Sequence, residues 1–218
     1  MWRTLKGDGV VGAINCHSLT IFRALAEAAP SDLIGLRPVV SWPPMRTVVL
    51  GERPPELDAL IARRRALGLD IFDEVWEGDY HMNPAPAGPH SWIDQQLAEV
   101  LGPLARQAGL WMGGVFNLGV VDDFRVPDRG IHTAPPLQTW FDTAVVVIEV
   151  ESPGDESWDK LGFYAAHHVD EVLIVSPEKR TVTWLILDQG EYIDCGGSSA
   201  LGIASSELDT QLEWPPAS

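Results

Sequence analysis

The stretch DTAVVVIEVESP, residues 142–153, decides the fold. Between Ala144 and Val150 the only polar side chain is Glu149, and Val or Ile fills most other positions. A β-branched run of this kind between turn formers predicts a buried central strand. Side chains alternate along a strand, so Val145, Val147, Glu149 and Glu151 share one face and Val146, Ile148 and Val150 the other. A central strand thus carries two carboxylates towards one surface at its end.

Downstream, SPGDES is a turn, a helix is expected from Ser157 to about His167, and strands follow near EVLIVS and TVTWLIL. The tail, residues 206–218, is expected to fray. Upstream, LWMGGVFNLG and FRVPDRGIHT read as two strands around a turn at Asp122 and Asp123. A helix from about His90 to Gln107 places Ile93, Leu97, Val100, Leu101 and Leu104 on one face, and Gly109 ends it. The alternation of Val75, Glu77, Asp79 and His81 with Trp76, Gly78, Tyr80 and Met82 reads as one strand closed by Pro84 and Pro86. Another helix is expected from Pro55 to about Leu67, with Glu56 and Asp58 at its positive end and Arg63 to Arg65 towards its negative end. Residues 1–53 are rich in breakers and read as a poorly ordered extension, with Met45 as an alternative natural start. Residues 54–205 are expected to form the ordered domain.

A chain of 218 residues, 45% hydrophobic and with 9 Trp, suits one domain with a sizeable core. No run approaches the length of apolar sequence that a spanning helix needs. Cys16 and Cys195 match neither a disulfide framework nor a CxxC metal site, which fits a cytoplasmic protein. Arg3 and Lys6 precede an apolar run from Val10 to Ile14, but Asn15, Cys16 and His17 break it too early for a signal peptide. The net charge is −16, and it is uneven. Residues 1–65 hold nine basic and six acidic side chains, which leaves six basic and 25 acidic groups, or −19, for the remainder. So acidic a body repels a phosphate backbone unless metal ions or a local basic patch reverse the field.

Acids at the end of an apolar strand are costly to desolvate, and a divalent cation offsets their repulsion. Glu149 is therefore a candidate metal ligand, with Asp128, after Pro127, as a second oxygen donor in a site suited to Mg²⁺. Exposed strand ends are the plain alternative for both. Lys160, the only lysine between Lys6 and Lys179, can orient a water and stabilise charge on a phosphoryl oxygen; a surface ion pair is the simpler alternative. Tyr164, one turn on, either positions Lys160 or fills the core. His167 and His168 lack paired ligand spacing, and GDG near the start lacks the strand, helix and lysine of a phosphate loop.

The segments DEVWEGDYHMNPAPAGPH, FRVPD, VVIEVESPGDESWDKLGFYAAHHVDEVLIVSP and TVTWLIL together resemble the Uma-type putative restriction endonuclease family, within the PD-(D/E)XK nuclease superfamily. The resemblance covers about residues 55 to 195 and implies an α/β fold, a mixed sheet flanked by helices with a restriction-endonuclease-like core, and a metal-dependent phosphodiesterase site. It assigns Asp128 to the PD aspartate, Glu149 to the second acid and Lys160 to a lysine displaced onto the next helix. Glu74 matches an acid on the first helix-to-strand segment, and His90 a histidine opening the long helix. The superfamily's usual lysine two positions after the second acid is replaced by Glu151, an extra carboxylate that either joins the metal or only adds charge. His168 stands where the family more usually has glycine. The implied activity is Mg²⁺- or Mn²⁺-dependent endonucleolytic hydrolysis of DNA by a homodimer, with Asp128 and Glu149 within about 6 Å of each other to share one ion. Arg125 and Arg129, flanking Pro127 and Asp128, are expected to contact phosphate. The alternative is a catalytically silent member of the same fold that binds a nucleic acid or protein partner.

Overall fold

The computed structural model describes residues 48–50, 55–86, 88–154 and 156–216, so most of the expected extension, residues 1–53, lies outside the described residues. The run that opened the reading is β9 (Val146–Val150), buried at all five positions. It pairs in parallel with β10 (Glu171–Ser176) and antiparallel with β7 (Arg129–His132), and so lies inside a six-stranded sheet. β11 (Thr181–Asp188) and β12 (Glu191–Asp194) extend this sheet beyond β10, and β4 (Trp111–Gly113) closes it beyond β7. The parallel crossover from β9 to β10 runs through a 3₁₀ turn (Ser157–Lys160) and a short helix, α3 (Leu161–Ala166).

Both faces of β9 are packed, as its composition predicts. Val146, Ile148 and Val150 join Leu173 and Trp184 against Ile93, Leu97, Leu101 and Ala105 of the long helix α2 (Gly88–Gln107). Val147 faces the other way, with Val172, Ile174, Phe116 and Tyr164 of α3.

A second sheet is ordered β1-β3-β2-β6-β5-β8. Its strands are β1 (Val48–Leu50), β2 (Glu74–Trp76), β3 (Asp79–Met82), β5 (Asn117–Val120), β6 (Asp123–Arg125) and β8 (Trp140–Phe141). The segment read as one strand over 75–82 is the β2–β3 hairpin, turning at Glu77 and Gly78, both at positive φ (50° and 97°). Each of the two strands expected over 110–119 and 124–133 is also split. Their outer halves, β4 and β7, pair in the first sheet, and their inner halves, β5 and β6, pair in the second. The chain passes between the sheets at Gly114–Phe116 and again at Val126–Asp128, where Pro127 cannot donate to a ladder. Gly119, at φ 116°, holds the second sheet close: a Cβ there would lie 2.5 Å from the Asp123 carbonyl and 2.8 Å from the Phe163 ring.

Helix α1 (Pro55–Ala66) buries only Ile61 and is fixed chiefly by Arg64, whose Nε and Nη2 donate to the buried Asp73 at 2.8 and 2.9 Å. Residues 206–216, expected to fray, are ordered. α4 (Ser205–Gln211) buries Leu208 and is followed by buried Leu212, and Trp92 Nε1 donates to the Glu213 carbonyl at 2.8 Å. The spacing of Leu208 and Leu212 makes a one-sided apolar strip, enough to dock so short a helix.

Glu171, at the start of β10, is 1% exposed and accepts from Trp184 Nε1, from both hydroxyls of Ser198 and Ser199, and from the amides of Ser199 and Ala200. It ties the short β13–β14 pair (Gly197–Ser198 and Ile203–Ala204) to the central sheet. Glu171→Ala strands five donors, and urea denaturation is expected to show a loss of at least about 3 kcal/mol.

Candidate functional site

Where the two sheets meet, β9 and β2 deliver acids to one cleft, of about 110 Å³, whose walls include Glu74, His90, Asp128, Glu149 and Lys160. Five of the residues singled out from the sequence are thus brought together. Glu149 is 3% exposed. Lys160 Nζ lies 3.1 Å from its Oε1 and 2.9 Å from Glu74 Oε1, bridging the sheets. The Tyr164 hydroxyl also donates to Glu149 Oε1. Both contacts fall on one oxygen, which leaves Oε2 uncommitted among the described residues. Desolvation is the main force on this carboxyl and pushes its pKa up to about 8; Lys160 opposes the rise, while Asp128 and Glu74 add to it. Burial and the neighbouring carboxylates also hold the Tyr164 hydroxyl well above its ordinary value, so it stays a donor.

Asp128 sits just past the point where the chain crosses between sheets. Its Oδ2 accepts from the Val150 amide at 2.8 Å and contacts His90 Nε2 at 3.0 Å. Its Oδ1 carries no such bond among the described residues. Burial works against a charged His90, but the hydrogen bond and charge of Asp128, with Asp94 and Glu149 behind, outweigh it and raise the imidazole's pKa. Glu74 is equally fixed: the Val126 amide donates to Oε1 at 2.8 Å and Trp76 Nε1 to Oε2 at 2.6 Å.

Sequence reasoning missed Glu156, which lines the same cleft and contacts His81 Nδ1 at 3.1 Å. It stands at the entry to the 3₁₀ turn that carries Lys160, and that nearness in sequence was the available signal.

Three of the expected site residues lie outside the lining of the cleft. Glu151 does not reach the cleft, because β9 ends at Val150 and the side chain turns to Trp158 Nε1 (2.7 Å) and Lys179 Nζ (3.3 Å). Burial alone would raise its pKa, but hydrogen bonds from Ser176, Trp158 and Lys179 prevail and hold it below the ordinary value. Arg125 is not a surface cation. Its guanidinium lies between the rings of Trp76 (4.3 Å) and Phe163 (4.1 Å) and donates to the Val75 carbonyl at 2.8 Å. Arg129 is held by both carboxylate oxygens of Asp94, at 2.5 and 2.7 Å, clamping β7 to α2. Both arginines knit elements together.

The donor set suits a small hard cation. Among the described residues no three His, Cys, Asp or Glu side chains form a ready-made metal cage. The two uncommitted oxygens, Asp128 Oδ1 and Glu149 Oε2, belong to acids whose mutual repulsion Lys160 only partly relieves. Mg²⁺ is commonly bound by one or two carboxylates while it keeps several waters.

Arg125→Ala is expected to lower stability by about 2–4 kcal/mol in urea melts, because the cation lies buried between two rings. In chelator, the stability of the parent relative to Glu149→Gln is expected to fall as pH rises from about 4.5 towards about 8. Over that window the native state retains a proton that the unfolded chain has lost. A flat difference across that window would contradict the buried-carboxyl assignment.

Residues 70–215 match the Uma2 family, described as "Putative restriction endonuclease". No curated protein matches this sequence. Among solved structures, a protein described as "a putative nuclease belonging to DUF820 from Anabaena variabilis" is similar in fold, with a TM-score of 0.54 and 17% identity over 64% of this chain and 90% of that one. The restriction-endonuclease-like mixed α/β architecture is thereby shared, and since the match spans most of the chain and contains all the acids of the cleft, this protein belongs to the Uma2 family.

Proposed function

We propose that this protein is a divalent-cation-dependent endonuclease that hydrolyses phosphodiester bonds of DNA. The observation that carries the reading is the Lys160 bridge, at 2.9 Å to Glu74 and 3.1 Å to Glu149, inside a cleft that Asp128 also lines. A purely structural ion pair needs one acid; here two acids from different sheets share one lysine in a desolvated cleft that a third acid also lines.

Asp128 and Glu149 would hold Mg²⁺ or Mn²⁺, which when bound polarises the phosphate and lowers the pKa of an attacking water. The residues of the chain do the remaining work. Lys160, kept in place by two carboxylates, presents an ammonium donor to the attacking water and to negative charge growing on the phosphoryl oxygens. Tyr164 and Lys160 occupy Glu149 Oε1 and so orient Oε2. The Val150 amide and His90 do the same for Asp128 through Oδ2. Glu74 fixes Lys160 from the second sheet and is itself fixed by Trp76.

The test uses circular plasmid and circular single-stranded DNA, on which only internal cuts score, with Mg²⁺ or Mn²⁺. Cutting that chelator abolishes, and that Glu149→Ala and Lys160→Met each slow by about 100-fold or more, is the expected result. Binding with no cutting by the parent would instead favour the catalytically silent reading.

A further inference from the structure

We propose that the substrate strand is single-stranded, held by a base stacked in the groove beside Trp92 and Trp214, and not a duplex gripped through its phosphates; this rests on the phosphodiesterase reading above. The cleft walls carry the carboxylates of Glu74, Asp128, Glu149 and Glu156 against one cation, Lys160. Of the eight other described lysines and arginines, four are committed elsewhere, Arg64 to Asp73, Arg129 to Asp94, Lys179 to Glu151 and Arg125 between two rings, and Arg180 donates to the Pro215 carbonyl. A duplex presents a charge for about every 1.7 Å of axis and is normally held by several Lys or Arg contacts. The lining of the cleft offers one such side chain, within a chain of net charge −16.

It offers aromatic surface instead. Pro86 and His90 wall the cleft, while Gly88, Pro89 and Trp92, at the start of α2, wall a groove of about 300 Å³ closed by Trp214, Pro215 and Pro216. The groove is built and not accidental. Trp92 Nε1 donates to the Glu213 carbonyl at 2.8 Å, and the Glu213 amide donates to Gln96 Oε1 at 2.6 Å, fixing the tail on the helix. Trp92 is nevertheless 50% exposed. Stacking on such a ring needs no positive field and tolerates any base. A strand crossing the start of α2 would seat a base in the groove and place a neighbouring phosphodiester at the cleft, which a rigid, paired duplex cannot do.

The experiment titrates the full chain, in chelator to prevent turnover, into fluorescein-labelled oligo-dT of about a dozen nucleotides and into a duplex of equal length, reading anisotropy. Tighter binding of oligo-dT, with a shallow salt dependence of about one or two phosphates' worth, is expected. Trp92→Ala should weaken oligo-dT binding about tenfold or more, and Trp92→Phe, which keeps a ring, should restore most of it; thermal melts establish that both variants fold. Duplex binding as tight as oligo-dT, a steep salt slope, or unchanged affinity in Trp92→Ala overturns the inference. Hydrolysis of bis(p-nitrophenyl) phosphate by the parent with Mn²⁺ separates the two failures. If that activity is present without oligo-dT binding, only the single-strand inference falls; if both are absent, the phosphodiesterase reading falls with it.

Discussion

A carboxylate at the end of a fully buried strand is the constraint on which the rest of the structure depends. Glu149 is enclosed because β9 must be covered on both faces, and an acid in that position is tolerable only with donors and cations supplied at close range. Lys160 and Tyr164 come from the crossover between β9 and β10, which the parallel pairing of those strands itself requires. Glu74 comes from a different sheet altogether and completes the bridge. Topology and electrostatics therefore meet at one side chain: the connection that makes the sheet parallel also makes its buried acid bearable.

The compensation is incomplete, and that is what distinguishes the cleft from the buried acids elsewhere in the molecule. Asp73 and Glu171 are just as buried, but Asp73 is matched by the guanidinium of Arg64 and the hydroxyl of Tyr80, and Glu171 has five donors. Glu149 has its donors on one oxygen only and two further carboxylates nearby. Saturated acids stabilise a fold; an unsaturated group of acids in a cleft points to a site with work to do.

Much of the fold was legible because burial writes itself into composition. β9 and β10 are covered on both faces and read as unbroken apolar runs, and α2 shows its buried stripe at helical spacing. The hairpin over 74–82 was not legible as a hairpin, because a two-residue turn preserves the alternation of a strand, and only the positive φ at Glu77 and Gly78 reveals the reversal. The split of the strands around Val121 was also hidden: pairing partners in two sheets leave no trace in local periodicity. Among site residues, Asp128, Glu149 and Lys160 stood out as acids and a lone lysine near strand ends, whereas Glu74 and His90 were visible only through family resemblance. The arginines misled because their partners are remote in sequence. Asp94 lies 35 residues from Arg129, and the rings around Arg125 come from β2 and α3. A charge count cannot tell a free cation from one already committed.

The bridge between Glu74 and Lys160 also bears on how the molecule matures. These two residues are 86 positions apart and belong to halves of the structure that are synthesised in sequence, so their contact closes one of the longest loops in the fold. A chain emerging from the ribosome carries Glu74 before Lys160 exists, and the ammonium can bridge Glu74 and Glu149 only when the crossover has formed and the sheets have docked. The assembled cleft therefore depends on contacts that only the nearly complete domain can make. A copy that stops short of Lys160 holds Glu74 and Asp128 with no ammonium to bridge the sheets.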